Sequence, residues 1–177
     1  MSVQTIFSFI TLLGHIVLVA GFIGFVVSKT FRTRLENFSG KFAYIIVFFI
    51  ALVSMVGSLY FSDILDWEPC VLCWYQRIAM YPLVVIFALG VWKQDISARM
   101  YGLALSFIGL SVALYQVYLQ VSAASGDGLS AFCSAVGGAD CSEIFMLEFG
   151  YITFPVMSAT AFLFIIVSLL LKRTSTY

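Results

Sequence analysis

Long apolar runs separated by short polar stretches dominate this chain. Residues 6–27, 42–61, 74–92, 101–121 and 151–171 each form a run close to 20 residues long. A helix of that length rises about 30 Å, the thickness of a bilayer's hydrocarbon core. The first run could pass for a secretory signal, but residues 1–5 carry no positive charge and no small-x-small cleavage site follows. It is also longer than a signal's apolar region, so it reads as a retained helix. The pattern predicts an all-α integral membrane protein with five spans.

The polar stretches assign an orientation. Lys29, Arg32, Arg34 and Lys41 lie between the first two runs, Lys93 and Arg99 between the third and fourth, and Lys172 and Arg173 after the fifth. With alternating spans, all of these fall on one side. The opposite stretches hold Asp63, Asp66, Glu68, Asp127, Asp140, Glu143 and Glu148, with no Lys or Arg. The positive-inside rule puts the amino terminus outside and the carboxyl terminus in the cytoplasm. Trp67, Trp74, Tyr75, Trp92 and Tyr101 cluster near the span ends, where generic interface anchoring accounts for most of them. Arg77 remains, inside the start of the third run.

Composition agrees. Hydrophobic residues make up 62% of the 177 and charged residues only 10%, against roughly 25% charged in soluble domains. Net charge is zero, so nothing points to nucleic acid.

The four cysteines form two close pairs, Cys70 with Cys73 and Cys133 with Cys141. Both pairs fall on the extracytoplasmic side, in the stretches 62–73 and 122–150, where disulfides persist. Pro69 directly before Cys70 suits a helix start, so the first pair lies at or near the amino end of the third span. Unsatisfied N–H groups and the helix dipole there favour a thiolate. Arg77 sits one turn deeper than Cys73 on the same face. An arginine inside the apolar boundary costs at least ~2 to 3 kcal/mol at mid-depth and less near the edge. It either snorkels to the outer headgroups or serves a function. The functional roles are to lower the Cys73 pKa and to donate hydrogen bonds to a carbonyl oxygen of an acceptor reached from the lipid, which suggests a quinone.

The second pair lies in a long loop with Gly126, Gly128, Gly137 and Gly138. Such a loop suits thiol exchange with a large soluble partner, and equally a static disulfide. Together the pairs make a relay: an exposed pair meets a protein, and a membrane-edge pair meets a lipid-phase acceptor.

The run Cys70-Val71-Leu72-Cys73-Trp74-Tyr75-Gln76-Arg77 closely resembles the disulfide-bond formation protein B family, especially its shorter-looped BdbC-type branch. Ile78-Ala79-Met80-Tyr81-Pro82-Leu83, Glu148-Phe149-Gly150-Tyr151-Ile152-Thr153-Phe154-Pro155 and the short Cys133–Cys141 loop look like the same family, so the likeness covers about residues 40 to 173. The resemblance implies a four-helix transmembrane bundle over 41–173, in a bacterial inner membrane, with residues 1–40 an extra transmembrane helix and basic cytoplasmic loop. It implies that Cys73 reacts with a quinone (ubiquinone or menaquinone), that Cys70 resolves, and that Arg77 is the quinone-side arginine. Cys133 would form the mixed disulfide with an extracytoplasmic thioredoxin-fold thiol oxidase of the DsbA or BdbD kind, and Cys141 would resolve it. Gln116 stands where many members are expected to have histidine; it can donate to a quinone oxygen but carries no proton at neutral pH. His15, in the extra helix, reads as a packing residue, and Gly14, Gly21 and Gly24 as a strip for packing on the bundle or another subunit.

Three alternatives stand beside the quinone-dependent dithiol oxidase. A vitamin K epoxide reductase-like protein would carry its loop pair before the CxxC, the reverse of the order here. A site holding zinc with four thiolates conflicts with the seven-residue spacing of the second pair and with the charge of Arg77. An interaction protein with two inert disulfides predicts poor folding of every Cys→Ser variant.

Overall fold

The computed structural model of the chain describes residues 3–93, 95, 97–125 and 140–172. Five long helices account for most of them: α1 (Val3–Val27), α2 (Lys29–Leu59), α3 (Val71–Lys93), α4 (Ser97–Ala124) and α5 (Phe154–Leu171). All five are long and apolar enough to cross a membrane. The spans fall where the apolar runs place them, with ends moved by a few residues.

The basic stretch between the first two runs departs from expectation. It is helix rather than loop: α2 starts at Lys29, and Ser28 alone separates it from α1. Ser28 is extended (φ −123°, ψ 113°), and its hydroxyl accepts from the Phe31 N–H at 3.3 Å, capping the new helix. Arg32 then pairs with Glu36 one turn on at 2.9 Å, and its guanidinium lies 4.7 Å from the Phe25 ring. Charge marks this segment as aqueous without stopping a helix.

Helices α2 to α5 form a four-membered ring in which α2 packs on α3 and α5, and α4 on α3 and α5. Between them lies a core including Val47, Ala51, Leu83, Phe87, Phe162, Ile165 and Leu169, all fully buried. Small residues permit the close approach. A Cβ on Gly102 would overlap the Phe87 ring, and one on Gly109 the Phe162 ring. α1 stands outside the ring and packs on α2 and α5. Of its 25 residues only Ser8 and Thr11 are buried.

The end of the ring carrying Lys93, Arg99 and Lys172 is tied by polar contacts. Arg99 Nε donates to the Leu169 carbonyl at 2.9 Å, Ser39 Oγ to the Ser168 carbonyl at 2.7 Å, and Tyr44 Oη to the Asp95 carbonyl at 3.1 Å. Lys172 Nζ lies 3.1 Å from the centre of the Tyr44 ring. Burial, and then the nearby Arg99 charge, pull the Lys172 ammonium below its ordinary value. The opposite end carries the cysteines. There α2 relaxes into a π-helical turn, Tyr60–Ile64, before the chain reaches Pro69.

Candidate active site

Helix α3 starts immediately after Cys70, as Pro69 and the CxxC spacing suggest. Cys70 caps it with sulfur: the Cys73 N–H donates to Cys70 Sγ at 3.4 Å, and the Trp74 N–H to the Cys70 carbonyl at 3.1 Å. The one turn between them sets the two sulfurs 2.8 Å apart as free thiols. Cys70 is buried and Cys73 half-buried. The hydrogen bond to Cys73, and then burial, hold the Cys70 thiol above the usual range; the Cys73 and Leu72 N–H groups oppose this without prevailing.

An amide pair faces the sulfurs from α4. Gln116 Nε2 lies 3.2 Å from Cys70 Sγ and 3.5 Å from Cys73 Sγ, while its Oε1 accepts from Gln76 Nε2 at 2.7 Å. Both glutamines are buried. One turn along α4, Gln120 Nε2 donates to the Glu143 carbonyl at 3.2 Å, and its Oε1 accepts from Thr153 Oγ1 at 2.9 Å. Gln120 thereby ties the second cysteine loop and the start of α5 to α4, one turn from the Gln116 that faces the sulfurs. Cys141 is disulfide-bonded and 1% exposed, and it shares a buried cluster with Cys70, Leu72 and Leu119. Cys133 lies outside the described residues.

On the other side of Cys73 opens a cavity of about 580 Å3, within the range of small-molecule sites. Its walls are mostly apolar, with Cys73, Gln76 and Arg77 at one place on its lining. Arg77 Nη2 donates to the Ser58 carbonyl at 3.1 Å, and its guanidinium lies 5.1 Å from the Trp74 ring. Among the described residues Arg77 makes no ion pair. The Ser58 carbonyl also accepts from Ser62 Oγ at 3.2 Å, where α2 passes into the π turn. Such turns recur at functional sites because they shift carbonyls out of the helical ladder. Trp67, one of the aromatics near the span ends, stacks on Phe61 (5.6 Å) and Phe145 (6.1 Å) and meets Phe154 edge-on (5.5 Å). All four rings line the cavity.

The structure thus brings Cys70, Cys73, Arg77, Gln116 and Cys141 to one end of the bundle and separates two of their settings. Cys73 borders both the large apolar cavity and a small crevice of about 20 Å3 that it shares with Cys70, Gln116, Gln120 and Glu143. Gln116 faces only the crevice. It contacts sulfur, and α4 contributes nothing to the large cavity. Sequence reasoning missed Gln76, Gln120 and Ser58. The first two were findable as polar residues in apolar helices, one turn from Cys73 and from Gln116 respectively; a backbone carbonyl leaves no sequence signal.

His15 fits its packing assignment. Its Nε2 lies 2.8 Å from Thr160 Oγ1 and its Nδ1 3.1 Å from Tyr151 Oη, so both ring nitrogens have partners. The glycine strip divides: a Cβ on Gly14 would press on Phe164 at 3.0 Å, one on Gly24 would overlap Phe31, and Gly21 has nothing within 4 Å.

Residues 40–172 match the family described as "Disulfide bond formation protein DsbB". The chain is 43% identical over 124 residues to the "Probable disulfide formation protein C" of Halalkalibacterium halodurans, covering 70% of this chain and 88% of the relative. It is 39% identical over 124 residues to the "Disulfide bond formation protein C" of Bacillus subtilis, covering 70% and 87%. It is 42% identical over 134 residues to the "Probable disulfide formation protein" of Chlamydia muridarum, covering 73% and 93%. No solved structure matches the chain. The match begins within α2, so α1 lies outside it. A thiol pair capping a membrane helix, a second cysteine packed beside it, and likeness to curated relatives over nearly their whole length lead to one assignment: the chain belongs to the DsbB family of disulfide bond formation proteins, as a membrane thiol oxidoreductase.

Proposed function

We propose that the chain reoxidises an extracytoplasmic thioredoxin-fold thiol oxidase and passes the electrons to a membrane quinone. The observation that carries this is the position of Cys73, with one side toward the apolar cavity and the other toward the crevice it shares with Cys70. In that scheme a partner thiolate attacks the Cys133–Cys141 disulfide at Cys133 and releases the Cys141 thiolate; the partner's second thiol then displaces Cys133 from the mixed disulfide, which leaves the partner oxidised and the second pair reduced. The reduced second pair then transfers its electrons to the Cys70–Cys73 disulfide. Burial of Cys141 in one cluster with Cys70 supports that exchange.

A bound quinone supplies an acceptor for two electrons and two protons. The cavity fits a ring of that size, being apolar for most of its wall and cationic at Arg77. Arg77 orients and polarises a carbonyl oxygen, with its own position fixed by the Ser58 carbonyl. Cys73 gives up electrons as the Cys70–Cys73 S–S bond forms, and the two thiol protons balance the reduction. Gln116 holds both sulfurs in line, a role supported by its distance to each. The aromatic group around Trp67 lies on the same lining and makes that part of the wall apolar, with the Glu68 carboxylate at its margin.

The test uses protein in detergent with a reduced thioredoxin-fold oxidase and a short-chain quinone, followed by quinone absorbance. Native protein turns over, and Cys73→Ser and Cys133→Ser abolish turnover while the helices persist by circular dichroism. Arg77→Met raises the quinone KM at least about tenfold, the loss of roughly one charge-assisted hydrogen bond. Folded native protein that reduces neither ubiquinone nor menaquinone analogues sinks the proposal.

A further inference from the structure

α1 lies outside the family match, yet it builds part of the cavity. Phe7, Ile10, Thr11 and Gly14 line it from α1, opposite Cys73 and Arg77 of α3. In a bilayer an apolar helix gains nothing from apolar contact alone, because lipid tails are equally apolar; close packing and hydrogen bonds must hold it. α1 has both in the half that borders the cavity. Phe7 packs onto Gly57, where a Cβ would overlap its ring, and meets Phe61 edge-on at 5.6 Å. Gly14 lies against Phe164 and Thr160 of α5. His15 then spans to Thr160 and Tyr151. Thr160 donates its own proton to the Val156 carbonyl at 2.7 Å, so its oxygen accepts from His15 Nε2–H and the Tyr151 hydroxyl donates to Nδ1. From Val17 to Val27 the large apolar residues of α1 are mostly exposed.

We infer that α1 is the lipid-side wall of the acceptor site, clamped by His15, and that Phe7 and Thr11 set which lipophilic acceptors reach Cys73. This rests on the proposed quinone cavity. The four-helix ring alone supplies the sulfurs and Arg77; α1 supplies the surface that closes the groove between α2 and α5. Residues on that wall control access from the lipid without touching the thiol exchange at the crevice, since α1 contributes nothing there.

The decisive measurement is the rate at which a lipophilic N-alkyl maleimide modifies Cys73 in the reduced full-length protein in lipid nanodiscs, read by peptide mass. Quinone reduction is measured alongside. Thr11→Phe fills the wall and slows Cys73 modification about tenfold, equivalent to a barrier of about 1.4 kcal/mol, and it raises the quinone KM with little change in thiol-partner exchange. Phe7→Ala opens the wall and speeds modification, so the inference stays testable should Thr11→Phe misfold. Ile16→Phe, on a position 57% exposed, leaves the rate unchanged. Native rates in both Thr11→Phe and Phe7→Ala overturn the wall. If native protein reduces no quinone while Thr11→Phe still slows modification, the acceptor assignment fails and the wall stands.

Discussion

Gln116 and Gln76 satisfy each other beside two sulfurs, so neither is replaceable alone at low cost. Gln116→Leu removes the donor to Cys70 and Cys73 and leaves Gln76 Nε2 without its 2.7 Å acceptor. A buried donor left unpaired costs about 1 to 3 kcal/mol. Thermal unfolding of the reduced protein in detergent is expected to show a loss of that order. Gln76→Leu combined with Gln116→Leu recovers part of it, because the stranded amide is gone. Full additivity of the two losses would count against the pairing. At this scale the sequence was informative about residue types and weak about directions. Cys70, Cys73 and Arg77 share one helix end by spacing alone. Whether Gln116 points at sulfur or at the cavity depends on the rotation of α4, which its apolar sequence on every side does not specify.

Helix positions were legible because membrane spans have a length requirement that apolar runs display directly. The helical Lys29–Lys41 segment was not, since charge reports water and leaves conformation open. The π turn at Tyr60–Ile64 was also hidden: it depends on how α2 meets the loop to Cys70, through contacts such as the Trp67 N–H to the Phe61 carbonyl at 3.2 Å. Packing between elements rests on glycines whose role appears only with the neighbour in place. Gly109→Leu drives a side chain into the fully buried Phe162 ring and separates α4 from α5. We expect a destabilisation of about 1 to 3 kcal/mol or more, seen as a lower unfolding temperature in detergent. Gly21→Leu, with nothing within 4 Å, should unfold where the native protein does; equal losses in the two would remove close approach as the explanation.

For the whole molecule, the division into a cysteine end and a basic end supports an orientation with the cysteines outside the cytoplasm. In a variant without native cysteines, Ile64→Cys at the cysteine end (65% exposed) is expected to react on intact cells with a membrane-impermeant maleimide. Trp92→Cys at the basic end (81% exposed) is expected to react only after lysis. The opposite pattern would invert the protein in its membrane. The sequence also announced α1 as an addition to the four-helix bundle, but its contact with the cavity depends on a distant match between His15 and Thr160 that no local pattern encodes. The single-residue joint at Ser28 gives that match its strength. Joined so closely to α2, α1 meets its groove as an intramolecular partner, at an effective concentration that for short linkers lies in the millimolar range. The tether thereby favours a seated α1 over one dispersed in the lipid, an advantage that the same helix supplied as a separate chain would lack.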